Sequence, residues 1–515
     1  MSGGVDMIER RDFITGMLAG AGFVSGCRAM APFAGGGNVR LKFGVVSDVH
    51  VKLAADGRSF AAGYDTQTFE RTLTYFRDCG VDAVMIAGDI ADIGFVSELK
   101  AVSDAWFRVF PGDRAPDGRK VERLFVFGNH DAYALKKGGD VFKDPAELRR
   151  EAIEADPRKA WDFCFHEEWK PYFRKTVKGF DFFCSHWQPG VWCNGYAETG
   201  CNGCADAFRL MMEACDPSKP FFYVQHPHPR DTVYGKDAWG VDDGTSTRLL
   251  SAFPQAVAFS GHSHEPLTNE RALWRGAFTS VATGSLRYLS ANPVYNRADV
   301  AGYENGGCDV YAPNVKRSDR GVYYARYNAP KSMTNEAVCP DIRVGQIVSV
   351  YDDRIEFEKR EFASGMKLGE DWVVELPAKA KSFAVRARVA QRAEFPAGAE
   401  LTVERTCAKT RGLKREELII AQEEKTAIRF EFPPANAAGR VAEYEISAQN
   451  SGGTEARVRL CAAGGFYPER HAKFSKKVVA TVFADRFPVG ADTFWVTPLD
   501  SFGNAGRPIS CVCAR

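Results

Sequence analysis

Five short motifs, each containing Asp, Asn or His, directly follow five apolar segments in the first two thirds of the chain, and this order constrains the fold most strongly. The motifs are Asp48-Val49-His50, Gly88-Asp89-Ile90-Ala91-Asp92, Gly128-Asn129-His130-Asp131, Gln225-His226-Pro227-His228 and Gly261-His262-Ser263-His264. The apolar segments are residues 41–46, 81–87, 124–127, 221–224 and 257–259. Such segments are typical of buried strands. Because sites in open α/β sheets collect beyond the carboxyl ends of strands, we expect the five motifs to converge.

The spacing within two motifs suits a metal site. Side chains at positions i and i+2 of an extended segment project to the same side, so Asp48 with His50, and His262 with His264, are each expected to direct two donors into one cavity. Glycines that allow sharp turns and close approach to a ligand occupy positions 88, 128 and 261. Carboxylate, imidazole and carboxamide donors without thiolates favour Mn, Fe, Zn or Ni over Cu(I), iron–sulfur clusters or Ca. The pattern therefore predicts a two-metal hydrolytic site.

The five motifs together resemble the calcineurin-like metallophosphoesterase superfamily, whose pattern is D-x-H, G-D-x-x-D/N, G-N-H-D/E, H and G-H-x-H in this order. The resemblance covers residues 40–365 and points to the cyclic-nucleotide-phosphodiesterase-like branch. It implies an α/β fold, namely a four-layer β-sandwich flanked by helices. The purple acid phosphatase branch has Tyr at the position of Asp92, so a tyrosinate-to-iron site is not expected.

The resemblance also implies a role for each motif residue. Two metal ions, with Mn, Fe or Zn expected, would activate a bridging hydroxide for attack on phosphorus. The implied ligands are Asp48, His50 and His264 for the first metal, Asn129, His226 and His262 for the second, and Asp89 for both. His130 is expected to protonate the leaving oxygen or to stabilise the transition state, and Asp131 to orient His130. Asp92 is expected to hold a ligand histidine by a hydrogen bond.

Two further histidines leave alternatives open. His228 is either a substrate contact at the rim of the site or a loop residue packed between Pro227 and Pro229. His186 is a weaker alternative to His226 as a metal ligand, because the segment before His226 is the clearer strand.

These features predict a phosphoesterase that hydrolyses a phosphodiester or a phosphomonoester. The alternative is a catalytically inactive, metal-stabilised binding or scaffold protein, but such proteins usually lose ligands and here none is missing. Ile93 follows Asp92 where protein phosphatases carry G-D-x-V-D-R-G, which favours a small organic phosphoester as the substrate. The net charge of +1, from 67 basic and 66 acidic residues, gives no overall field that would attract nucleic acid.

The first residues resemble a bacterial export signal. Arg10-Arg11 precedes a small apolar stretch, and Val24-Ser25-Gly26-Cys27 matches a lipobox. We expect residues 1–31 to be a twin-arginine signal and residues 32–39 a flexible linker; the alternative is a short amphipathic helix. The mature protein would be periplasmic or in the cell envelope, attached to the membrane through lipid on Cys27 or released after Ala31. The apolar stretch is shorter than the roughly 20 residues that a lasting membrane anchor needs.

Helical spacing of apolar residues predicts two helices between the first three motifs. The first would be capped by Asp65 and bury Phe69, Leu73 and Phe76. The second would be capped by Ser97 and bury Leu99, Val102, Trp106 and Val109. Both are expected to pack on the sheet as crossover connections.

Residues 375–515 have a different character. Short alternating segments separated by Gly, Pro and Asn predict an all-β sandwich domain, whose last segment resembles fibronectin-type or immunoglobulin-like strands. His471 is its only histidine, so we expect a docking or stabilising module rather than a catalytic one.

Four of the 14 cysteines cluster in one segment, at Cys193, Cys201, Cys204 and Cys215. Export would favour disulfides, with buried thiols or a structural zinc as alternatives.

Overall fold

The computed structural model describes most of the chain from residue 38 onward. The described residues are 38–53, 66–132, 157–187, 204–235, 238, 240–287, 289–290, 338–339, 343–377, 393–409, 413–415, 418–420, 424–436, 441–461, 477–501 and 504–513. The predicted export signal, the linker up to residue 37, Asp65, Cys193 and Cys201 lie outside them. Within the described residues, no helix has both the length and the apolar character needed to cross a membrane.

A first sheet carries the first three motifs. Its strands, numbered in chain order, are β1 (Leu41–Val46), β2 (Ala83–Ala87), β3 (Glu122–Val126), β12 (Val344–Val350), β13 (Arg354–Glu361), β14 (Met366–Lys367) and β15 (Trp372–Glu375). Their order is β14-β13-β12-β1-β2-β3, with β15 also beside β13. β1, β2 and β3 are parallel, whereas β12 is antiparallel to β1. Because β14 and β15 pair with β13, this sheet continues past the predicted domain end at residue 365 to Glu375.

A second sheet carries the last two motifs. Its strands are β4 (Tyr172–Val177), β5 (Phe180–Ser185), β6 (Phe221–Val224), β7 (Ala256–Ser260), β8 (Leu273–Arg275) and β9 (Thr279–Ala282). Their order is β4-β5-β6-β7-β9-β8, and β5, β6, β7 and β9 are parallel. A separate short pair consists of β10 (Leu289–Ser290) and β11 (Val338–Cys339).

The two sheets bury one core between them, and helices cover their outer faces. Phe43 of the first sheet contacts the rings of Phe182, Phe222 and Phe259 of the second. The helices are α1 (Gln67–Asp78), α2 (Val96–Val109), α3 (Pro157–Phe165), α4 (Ala205–Glu213) and α5 (Thr245–Leu250). Apolar side chains of α1, α2 and α3 form one cluster with the first sheet, and those of α4 and α5 form another with the second. The mixed α/β architecture is therefore confirmed as four layers.

The first two helices follow the predicted periodicity, but α2 does not begin as predicted. The predicted apolar residues of both helices are buried. Ser97 lies inside the first turn of α2 and does not cap it. Instead, the Glu98 carboxylate accepts hydrogen bonds from the main-chain N–H groups of Ile93, Gly94 and Phe95, at 3.0, 3.1 and 3.2 Å. The sequence did not reveal this cap because the carboxylate reaches back over the preceding loop.

The described residues after 393 form antiparallel strands, as predicted for an all-β region. One sheet contains β16 (Thr402–Lys409), β19 (Glu424–Phe432) and β22 (Val478–Phe483), and β17 (Leu413–Arg415) pairs with β18 (Leu418–Ile420). A second sheet contains β20 (Val441–Asn450), β21 (Glu455–Cys461), β23 (Ala491–Asp500) and β24 (Ile509–Val512). The two sheets share one core, in which Phe430 contacts Phe494. The fibronectin-type or immunoglobulin-like assignment stays a prediction.

Candidate metal centre

The five motifs lie at the carboxyl ends of five strands, which belong to two sheets rather than to one. β1, β2 and β3 of the first sheet end just before the motifs at residues 48, 89 and 129. β6 and β7 of the second sheet end just before His226 and His262. The main-chain N–H of Gly261 donates to the carbonyl of His226, and that of Asp48 donates to the carbonyl of Gly88, both at 3.0 Å. These bonds fix neighbouring motifs to each other within each sheet.

Four buried residues form a first group of donors. One ligand atom from each of Asp48, His50, Asp89 and His264 lies within 4.8 Å of the others. His264 Nε2 is 3.1 Å from Asp48 Oδ1 and 3.2 Å from His50 Nε2. His50 Nε2 is 3.4 Å from Asp89 Oδ2. The first, second and fifth motifs therefore meet at one point.

A second group shares Asp89 with the first. Ligand atoms of Asp89, His226 and His262 lie within 4.8 Å of one another. His226 Nε2 is 3.1 Å from Asp89 Oδ2, 3.1 Å from Asn129 Oδ1 and 3.0 Å from His262 Nδ1. The structure thus brings all seven predicted ligands together in two groups, with Asp89 in both.

The chemistry of these donors fits metal ions. The two Nε2 atoms of His50 and His264 face each other, and His226 Nε2 faces three polar atoms at once. One N–H can serve only one or two such partners well, whereas a cation attracts lone pairs from every side. Imidazole, carboxylate and carboxamide are the donors that first-row transition metals take in proteins. Buried Asp48 and Asp89 also need positive charge nearby, since a buried carboxylate is costly unless it is paired.

The buried carboxylates raise the pKa values of two ligand histidines, His50 and His226. Burial lowers the pKa of His50, but hydrogen bonds and charge from Asp48, Asp92 and Asp89 outweigh it and raise that pKa to about 10. Burial acts likewise on His226, and Asp89 raises its pKa to about 9. The carboxylates therefore hold positive charge in the site, as protons on the histidines or as metal ions that replace those protons.

The backbone at the ligands is strained, which the sequence did not indicate. Asp48, His50, Asp89, His262 and His264 have φ values of 52, 47, 54, 75 and 55°, in a region that residues other than glycine rarely adopt. The expectation that each i, i+2 pair lies in extended chain is therefore wrong. His262 joins the second group and His264 the first, so this pair is divided between the two. Strain of about 1–3 kcal/mol per residue is typical of functional sites.

Two glycines allow the close approach that the sequence predicted. Gly88 has a φ of 90°, and a Cβ atom there would lie 2.2 Å from His226 Nδ1. A Cβ atom at Gly128 would lie 2.1 Å from Asp89 Oδ1. Both separations are shorter than van der Waals contact, so any side chain at either position would displace a ligand.

Asp92 contacts a ligand histidine and also the loop that carries His130. Its Oδ1 is 3.3 Å from His50 Nδ1, and its Oδ2 is 2.8 Å from Lys52 Nζ, a contact not anticipated from the sequence. Burial would raise the pKa of Asp92, but the His50 and Lys52 contacts lower it to about 2. His130 Nδ1 lies 2.7 Å from the Asp92 carbonyl oxygen, and 29% of the His130 side chain is exposed. His130 is thus partly exposed rather than buried.

The Asp131 carboxylate binds main-chain groups of two motif loops. It accepts hydrogen bonds from the N–H groups of Ala91, Ile90 and Gly128, at 2.7, 3.1 and 2.7 Å. Burial raises the pKa of Asp131 to about 7, and the charge of Asp89 acts in the same direction. Asp131 therefore joins the second and third motifs instead of orienting His130 as expected. The group that contacts the His130 ring is the main-chain carbonyl of Asp92.

His228 and His186, whose roles the sequence left undecided, are both buried in the protein interior. His228 is fully buried, with Nδ1 2.7 Å from Ser260 Oγ and Nε2 2.8 Å from Ser263 Oγ, so the rim interpretation is wrong. His186 Nδ1 accepts a hydrogen bond from the Phe127 N–H at 3.0 Å, within a cluster of aromatic rings. Burial lowers the pKa of each to about 3.

Cys215, one of the four clustered cysteines, is a free thiol. Cys215 Sγ lies 3.4 Å from Asp181 Oδ2 and 3.5 Å from the Met211 carbonyl oxygen. Cys215 is therefore a half-buried thiol and not part of a disulfide.

Comparisons with known proteins match part of the chain. Residues 41–266 match a family model described as calcineurin-like phosphoesterase. No curated protein matches the sequence. A purple acid phosphatase from yellow lupin (Lupinus luteus) seeds is 13% identical, with 67% of this chain and 55% of that one covered and a TM-score of 0.37. The chain thus spans about half the length of the lupin protein.

Two other solved structures are similar at lower scores. A predicted phosphoesterase from Streptococcus pneumoniae is 11% identical, with 65% of this chain and 97% of that one covered and a TM-score of 0.25. Vacuolar protein sorting 29 from Cryptosporidium parvum is 7% identical, with 66% and 98% covered and a TM-score of 0.25.

Proposed function

We propose that the chain is a phosphoesterase with two metal ions, which hydrolyses a phosphodiester or phosphomonoester of a small organic molecule. The match of residues 41–266 to the calcineurin-like phosphoesterase family supports this proposal. The observation that carries the proposal is the pair of donor groups that share Asp89. Two metal ions held in this way supply an activated water and a clamp for the phosphoryl oxygens. Asp48, His50 and His264 would hold one ion, and His226, His262 and Asn129 the other.

The partial exposure of His130 and its contact with the Asp92 carbonyl support a role as proton donor to the leaving group. The Asp92 carbonyl can only accept a hydrogen bond, so Nδ1 of His130 carries a proton and Nε2 is the ring atom that would exchange a proton with the leaving oxygen. General acid catalysis of this kind contributes most when the leaving group is a poor one. The predicted ligands would hold the metal ions.

The substrate class follows from a sequence feature beside the site. Ile93 stands where protein phosphatases of this superfamily have Arg, which favours a small organic phosphoester over a phosphoprotein. Lys52 adds one half-buried cation beside Asp92, close to the more open His130.

We also propose export of the protein to the periplasm or cell envelope. Arg10-Arg11 and the lipobox at Cys27 support this proposal. Cell fractionation and the mass of the mature N-terminus test it. A protein that keeps Met1 and stays in the cytoplasm would contradict export, and a lipid-free N-terminus after Ala31 would contradict lipid attachment.

The function is tested by metal content and turnover of the full chain. The protein would be loaded with Mn, Zn or Fe and assayed with bis-p-nitrophenyl phosphate and p-nitrophenyl phosphate. Asp89→Asn should lose metal and turnover. Asp82→Asn is the matched control, because Asp82 is buried next to the opposite end of the same strand β2, where it contacts Lys178 Nζ at 2.8 Å. The control should keep metal and turnover.

Each result has a distinct meaning. About two metals per chain with hydrolysis would support the proposal, and the preferred ester would identify a phosphodiesterase or a phosphomonoesterase. Bound metal without turnover of any ester would favour the inactive binding or scaffold protein. A chain that binds no metal would contradict both alternatives.

A further inference from the structure

We propose that His228 is a positioning residue of the metal centre. It holds Ser263 by a hydrogen bond and thereby fixes the positions of His262 and His264, the ligand histidines on either side of Ser263. This inference rests on the proposed function, since it concerns how the chain holds its metal ions. His228 is not itself a ligand, because both of its ring nitrogens face serine hydroxyls.

The ring of His228 links two strand ends and a motif loop. His228 follows the end of β6, Ser260 is the last residue of β7, and Ser263 lies within the fifth motif. The ring contacts both hydroxyls, at 2.7 and 2.8 Å. Each hydroxyl can donate or accept, so either tautomer of the ring satisfies both contacts.

The surroundings of His228 hold the ring in place. Its main-chain N–H donates to the Gly240 carbonyl, and its own carbonyl accepts from the Asp242 N–H, both at 2.8 Å. The ring of Tyr234 meets the imidazole edge-on, with centroids 5.4 Å apart. The imidazole is fully buried, so in the intact protein the ring rather than bulk water is the partner of the two serine hydroxyls.

The segment that His228 contacts needs such support. His262 and His264, on either side of Ser263, have φ values of 75 and 55°. Strained residues of this kind persist only where surrounding contacts hold them. His262 joins the second donor group and His264 the first, so movement of Ser263 would disturb both groups together. Residues that orient metal ligands from outside the coordination sphere typically change metal affinity or activity by 10- to 100-fold when replaced.

The test compares metal affinity in His228→Ala, Ser263→Ala and the double variant, in the full chain. His186→Ala is the matched control, because His186 is also a fully buried histidine with a hydrogen-bonded ring nitrogen, but in the aromatic cluster. Mn²⁺ and Zn²⁺ binding would be measured by calorimetric titration, and thermal unfolding of each metal-free variant would report stability. Ser263→Ala keeps the inference testable if His228→Ala does not fold, because it removes one hydroxyl only.

We expect both single variants to bind metal about 10- to 100-fold more weakly than the wild type. The double variant should lose little more than either single one, because the two residues act through one contact. His186→Ala should lose stability but keep its metal affinity.

Three results would overturn the inference alone, provided the wild type binds metal. These are unchanged affinity in His228→Ala or Ser263→Ala, an equal loss in His186→Ala, and fully additive losses in the double variant. A wild type that binds no metal would overturn the proposed function and this inference with it.

Discussion

Replacing Asp131 with Ala should destabilise the domain that carries the candidate metal centre strongly, even without metal. The Asp131 carboxylate is the acceptor for the main-chain N–H groups of Ile90, Ala91 and Gly128 in a fully buried position. Alanine would leave all three donors without this acceptor. A buried donor left unsatisfied costs about 1–3 kcal/mol. Taking the lower value for each, because water can enter the space left, we expect a loss of about 3 kcal/mol, a large part of a typical unfolding free energy of 5–15 kcal/mol.

Urea unfolding followed by tryptophan fluorescence is the suitable assay. Trp495 is the only tryptophan after residue 375, so the signal reports mainly the domain that carries the candidate metal centre. A chelator in the buffer would keep metal binding out of the measured free energy. Asp131→Asn keeps one acceptor oxygen and should lose less than Asp131→Ala. Asp117→Ala, at an exposed carboxylate that accepts from the Arg119 N–H, is the control and should behave as the wild type.

The contrary result would restore the role first expected for Asp131. If Asp131 acted mainly by orienting His130, Asp131→Ala would unfold like the wild type and only lose turnover on poor leaving groups. A loss of stability below about 1 kcal/mol would therefore refute the assignment of Asp131 as the link between the two loops.

Three more predictions concern the same loops. Gly88→Ala should lower metal affinity at least about tenfold because the new Cβ atom would collide with His226. Gly118→Ala is the control, because Gly118 also has a positive φ but no neighbour within 4 Å, and it should keep the wild-type metal affinity. Equal affinities of the two variants in metal titrations would refute the steric argument. His130→Ala should reduce turnover most on esters with poor leaving groups, and equal losses across a leaving-group series would remove its acid role. Burial raises the pKa of Glu98 from 4.5 to about 8, so its contribution to stability is full below pH 4.5 and is lost as the pH rises towards 8. Relative to a Glu98→Gln variant, the wild-type unfolding free energy should therefore fall across this range by up to about 1.4 kcal/mol per pH unit, and equal slopes in the two proteins would contradict this.

Local patterns determined the elements and the identity of the donors. Apolar runs of strand length ended at the motif residues, and helical spacing predicted the buried faces of α1 and α2, because burial on one face of an element leaves a short-range pattern. The all-β character of the last region followed from the same kind of pattern. Cap positions were less predictable: the cap of α2 comes from Glu98 rather than Ser97, because a flexible side chain can reach several main-chain groups.

Tertiary structure alone decided how the donors are held. The contact between Asp48 and His264, like those from Asp131 to the second motif and from His228 to Ser263, joins residues far apart in the chain. No local pattern contains such distances, since the Asp48–His264 contact depends on how the two sheets pack and the other two depend on which strands are neighbours within a sheet. The left-handed backbone at five ligands is a further example, because the isolated sequence disfavours that conformation and only surrounding contacts stabilise it. The sequence by itself therefore determined which atoms could bind metal, and packing of the two sheets determined where those atoms meet.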